Sequence, residues 1–143
     1  MDDIETLLKE LTEADGIAGH EAAVRRLIQQ RFKSLGEVSH DRLGSVICRK
    51  LGDAADPKIM LAAHMDEVGF IVSHITRDGF IRFSALGGWW DHVLLAQRVV
   101  IKTVKGNLVG IIGAKPPHLL TDEERSKLLD RKDMYIDLSL IHI

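Results

Sequence analysis

Apolar residues recur at helical spacing in the first part of the chain and at strand spacing later. Ile4, Leu7, Leu8 and Leu11 fall three or four apart, which predicts an amphipathic helix over residues 3–14. Asp15-Gly16 and Gly19 break it. Val24, Leu27, Ile28, Phe32 and Leu35 form a second apolar stripe, with Gly36 as the stop signal of that helix. Short strands are expected at 37–40 and 45–50 around the turn Asp41-Arg42-Leu43-Gly44. Pro57 then precedes an apolar run that predicts a buried strand over 58–63. Helices followed by a buried apolar strand indicate an α/β layer.

After residue 66 the character changes. Strand-like segments follow at 68–75, 80–85, 97–104 and 108–113, with turn signals at Arg77-Asp78-Gly79 and Lys105-Gly106-Asn107. Short strands in quick succession suggest a small β-barrel or sandwich. The later helix signal is Thr121-Asp122-Glu123-Glu124, where Thr121 and Glu124 can bond each other's backbone amides as a capping box. A boundary between an α/β part and a β part is therefore expected near residue 67.

Composition narrows the function classes. Apolar residues make up 45% and charged residues 28%, as in a soluble globular domain. A net charge of -2 with scattered Lys and Arg argues against nucleic acid or an acidic membrane as partner. The single Cys48 cannot form an internal disulfide and reads as a small core residue. Asp2, Asp3 and Glu5 are the opposite of a signal peptide's basic start, and no apolar run reaches the length of a membrane span. The expected location is the cytoplasm.

The candidate chemistry sits in the apolar run 59–72, which is broken by His64, Asp66 and Glu67. Ionisable residues at a strand end are costly to bury without a partner. On a strand His64 and Asp66 share a face, as a metal ligand and its orienting carboxylate would. A surface turn at the strand's end is the opposing reading. His118 in a Pro-Pro-His loop is open to a ligand role or to turn packing. His20 reads as part of a helix start, and His40, His74 and His92 as surface or interface residues. Glu67 stays undecided between the site and the lead into the β part. Trp89 and Trp90 suit a core or a subunit interface.

Several segments together carry a family resemblance. Ala63-His64-Met65-Asp66-Glu67-Val68-Gly69 resembles the signature strand of the tetrahedral (TET) aminopeptidases, some of which carry an endoglucanase label. Gly19-His20-Glu21 with Val24-Arg25, Asp41-Arg42-Leu43-Gly44-Ser45, Gly87-Gly88-Trp89 and Gln97-Arg98-Val99 follow in the family's order. Ile112-Gly113-Ala114-Lys115-Pro116-Pro117-His118-Leu119 and Asp133-Met134-Tyr135-Ile136-Asp137 complete the series.

The resemblance implies an α/β fold: the N-terminal part of a zinc-peptidase-like catalytic domain over 1–67, interrupted by an inserted β-barrel dimerisation domain over 68–137. It implies His64 as a ligand of one of two divalent ions, zinc or cobalt, and Asp66 as the catalytic-site carboxylate orienting it. It further implies peptide substrates and a homo-oligomer, from dimer to dodecamer, in full-length relatives. The remaining ligands and the general base are expected outside this chain, so the chain alone is expected to be inactive. Leu138-Ser139-Leu140-Ile141-His142-Ile143 matches the translation of a sequencing-adaptor repeat and reads as a non-native tail, in which His142 has no ligand role. Two alternatives remain: a non-catalytic β-domain assembly or regulatory module, and a glycoside hydrolase. The latter needs two carboxylates flanking a cleft, which neighbouring Asp66 and Glu67 on opposite strand faces do not provide.

Overall fold

The computed structural model describes residues 3–139, so most of the expected tail, His142 included, lies outside the described residues. The chain forms two compact units, one ending at Val68 and the other beginning at Gly69.

The first unit opens with helices α1 (Asp3–Glu13) and α2 (Ala22–Phe32), followed by strands β1 (Glu37–His40) and β2 (Val46–Arg49). Asp3 and Glu5 in the first turn of α1 complement the helix dipole. Arg31 on α2 donates to Asp3 at 3.0 Å and to Glu10 at 2.8 Å, tying the two helices together. Gly36, the expected stop signal of the second helix, lies beyond the residue that caps it. The cap of α2 is Lys33, and Gly36 does not have a positive φ. What position 36 requires is smallness, because a Cβ there would collide with the carbonyl of Arg49 and sit 3.3 Å from Cys48 Sγ. Gly36→Ala is therefore expected to loosen the hairpin against α2, costing on the order of 1–3 kcal/mol. The check is chemical denaturation, and an unchanged midpoint would refute the steric account.

β1 and β2 pair antiparallel from Glu37 with Arg49 to His40 with Val46. Their turn is organised by one side chain. The Asp41 carboxylate accepts from the amides of Leu43 and Ser45, both at 2.9 Å, and from the Ser45 hydroxyl at 2.7 Å. Gly44, at φ 95°, supplies the left-handed residue the turn needs. The Ser45 hydroxyl and then its amide hold the Asp41 carboxyl below the usual carboxylate range. A depressed carboxyl pKa stabilises the fold above the unfolded value and loses that contribution as pH falls through the folded one. The hairpin should therefore loosen below about pH 4, and Asp41→Asn should flatten that part of the stability–pH curve. An identical acid limb in the variant would count against this turn.

The expected strand over 58–63 does not form. Those residues carry no strand pairing, and Ile59, Met60 and Leu61 are 82%, 87% and 94% exposed. The apolar pattern correctly marks a segment that wants burial. A strand also requires neighbours for its amides and carbonyls, and β1 and β2 pair only with each other in a two-stranded sheet.

The second unit is a five-stranded antiparallel sheet: β3 (Gly69–Ile75), β4 (Ile81–Leu86), β5 (Arg98–Thr103), β6 (Gly106–Gly113) and β7 (Tyr135–Asp137), in the order β3-β4-β7-β6-β5. The described strands form an open sheet where a barrel was expected. Closure would require β3 and β5, which lie at opposite ends of this order, to pair. The three-residue β7 is too short to announce itself by periodicity, yet it is the central strand. Ile136 pairs with Ile81 on one side and Ile112 on the other, placing three isoleucines on one face. With Phe83, Leu94 and Met134 they form the buried core, covered by Phe70, Trp89 and Leu129. Phe70 stacks on Trp89 at 4.8 Å and meets Phe83 edge-on at 4.9 Å. The Trp89 indole donates to the Gly69 carbonyl at 3.1 Å, making Trp89 a core residue, whereas Trp90 is 67% exposed. Leu138, from the expected tail, also packs on this core.

Helix α3 (Asp122–Ser126) begins with the anticipated capping box. The Glu124 amide donates to Thr121 Oγ1 at 3.2 Å, and the Thr121 amide to Glu124 Oε2 at 2.7 Å. Pro117–Leu119, with His118, forms a single 3-10 turn.

Candidate active site

His64, Asp66 and Glu67 lie together at the end of the first unit. His64 Nδ1 is 3.1 Å from Asp66 Oδ1 and 3.1 Å from the Asp66 backbone carbonyl. Both partners are acceptors, so Nδ1 carries a proton, and in the neutral ring the lone pair lies on Nε2. The His64 side chain is 83% exposed, leaving Nε2 accessible. A carboxylate on one ring nitrogen with the other nitrogen free is an arrangement that would suit an imidazole donating to a metal.

The two carboxylates here point to different partners. Asp66 faces His64, whereas Glu67 Oε1 accepts the Gly16 amide at 3.0 Å. The Glu67 amide in turn donates to the Gly16 carbonyl at 2.7 Å, within a parallel bridge between Ile17 and Glu67. They do not form the facing pair that glycoside hydrolysis requires. A cleft of about 380 Å³ adjoins the segment, lined among others by Leu11, Val24, Ile28 and His64.

Among the described residues no cluster of three or more His, Cys, Asp or Glu side chains could hold a metal ion. By donor chemistry His64 would fit one coordination position. His40 contacts Gln29 Nε2 at 3.0 Å, and His92 meets the Trp90 ring edge-on at 5.0 Å. Neither joins His64 in a ligand cluster among the described residues.

A family model described as M42 glutamyl aminopeptidase matches residues 44–141. The chain belongs to the M42 family. A second model, described as AMPT, matches residues 2–27. A crystal structure of a TET aminopeptidase from the archaeon Thaumarchaeota archaeon SCGC AB-539-E09 is 46% identical, with a TM-score of 0.89 over 94% of this chain and 38% of its own. The dodecamer structure titled PhTET1-12s is 36% identical, with a TM-score of 0.79 over 97% of this chain and 40% of its own. The lysyl aminopeptidase of Pyrococcus furiosus is 36% identical over 92% of this chain and 38% of its own length. This M42 chain therefore spans about two fifths of the relatives it matches. Within it, no described helix is long and apolar enough to cross a membrane.

The sequence singles out His64 and Asp66, leaves Glu67 undecided and marks Gly16 only as a helix breaker. A small residue after α1 and a carboxylate next to the site were both visible. Their pairing across 51 residues was not.

Proposed function

We propose that this chain supplies His64 as one metal ligand, and Asp66 as its orienting carboxylate, to an aminopeptidase whose remaining ligands lie in sequence outside it. The observation that carries the reading is the hydrogen bond from His64 Nδ1 to Asp66, which leaves Nε2 as an exposed donor. Zinc and cobalt both suit an imidazole donor. When bound, a pair of such ions polarises the scissile carbonyl and lowers the pKa of a water. The role of this chain's residues is narrower: Asp66 holds the proton on Nδ1 and fixes the ring plane, so that Nε2 meets the ion without reorganising.

The proposed substrates are peptides with a free N-terminus, and the domain reading is a catalytic part over 1–67 with a dimerisation part over 68–137. Assembly into a homo-oligomer is supported by the PhTET1-12s dodecamer among its structural neighbours. Exposed Val72 and Ile75, which share one face of the edge strand β3, offer an apolar surface for it. The proposed location remains the cytoplasm.

The deciding experiment compares this chain with a full-length counterpart on a panel of aminoacyl-nitroanilides, with and without chelator. Turnover is expected from the longer protein alone and should vanish on metal removal. Activity surviving complete metal removal would overturn the reading. In the same assay Asp66→Asn, which keeps the shape but weakens the acceptor, is expected to lower activity or metal affinity roughly 10–100-fold.

A further inference from the structure

The role of Glu67 follows from how the His64 segment is held. Residues 58–66 have no strand pairing, so a ligand placed there needs another anchor. Glu67 provides one through two bonds to the same glycine: its amide donates to the Gly16 carbonyl, and its carboxylate accepts the Gly16 amide. Gly16 is buried, so losing that acceptor would strand a buried donor. Gly16 also comes close to the residue between ligand and carboxylate, since a Cβ on it would lie 3.3 Å from the Met65 carbonyl and 2.7 Å from Val24 Cγ2.

We propose that Glu67 is a positioning residue: its two-point bond to Gly16 fixes the His64–Asp66 segment against the α1–α2 loop. The consequence for catalysis rests on the metal-ligand reading of His64; the positioning itself does not. It acts by hydrogen bonding, so a neutral acceptor of the same length suffices.

The test uses this chain, with 15N NMR reporting Gly16 amide exchange and the His64 tautomer. Glu67→Ala should speed Gly16 exchange roughly tenfold, as for one lost bond to a charged acceptor, and shift His64 away from the Nδ1-protonated form. Glu67→Gln should preserve both readouts. Gly16→Ala, which crowds Met65 and Val24 while leaving Glu67 intact, should disturb the His64 tautomer as well, and serves as the second variant should Glu67→Ala fail to fold. Wild-type protection and tautomer in Glu67→Ala, or an equal loss in Glu67→Gln, would overturn the proposal. A full-length enzyme indifferent to chelator would instead overturn the metal reading and leave these NMR results to decide the positioning.

Discussion

Replacing His64 by alanine in a full-length counterpart is expected to abolish peptide hydrolysis while leaving the fold of this chain unchanged. The two halves of that expectation have separate causes. The side chain is 83% exposed and its hydrogen bonds are local, to Asp66 two residues away, so little packing is lost with the ring. Under the proposed metal-ligand reading its chemical role is larger. A metal acting on the carbonyl and the attacking water contributes several kcal/mol, and each 1.36 kcal/mol is tenfold in rate. Losing a ligand should thus cost on the order of 10³-fold or more in kcat, with reduced metal content measured by elemental analysis. The thermal unfolding midpoint of the 143-residue chain should not move. Near-normal turnover with full metal content in the variant would remove His64 from the site. A shifted midpoint would mean that the ring is structural.

The largest effect on stability is expected at Ile136. This residue is 3% exposed, sits in the central strand β7, and is cross-strand partner to both Ile81 and Ile112. It also explains why position 110 is glycine, since a Cβ there would collide with Ile136 Cγ2. Truncating a buried isoleucine to alanine costs about 2–5 kcal/mol from lost transfer energy and the cavity left behind. For a unit of this size each kcal/mol lowers the melting temperature by about 4–8 °C, so Ile136→Ala should lower it by at least about 8 °C. Trp89, stacked on Phe70 in the same core, provides a fluorescence signal for that transition. A drop of only a degree or two would show that the three-isoleucine row does not hold the sheet together.

Much of the architecture was legible along the chain, and the exceptions share a cause. Helices α1 and α2, the hairpin β1–β2 and strands β3 to β6 follow from spacing, turn residues and alternation. Those signals act within a few residues, and local backbone preferences respond to them. The capping box at Thr121 and Glu124 and the Asx-type turn at Asp41 were readable for the same reason. Strand β7 and the absence of the strand at 58–63 were not. Tyr135–Asp137 is a strand because β4 and β6 flank it, and three residues carry no period of their own. Residues 58–63 have the right composition and lack a neighbour, and the side chains of a segment do not reveal whether its amides will find partners.

The site divides along the same line. The two-residue spacing of His64 and Asp66 made their contact legible in the sequence, because that contact is local. Only the tertiary structure decided which partner Glu67 takes. Its partner Gly16 lies 51 positions away, and a bond of that span forms only once the loop after α1 lies beside the His64 segment.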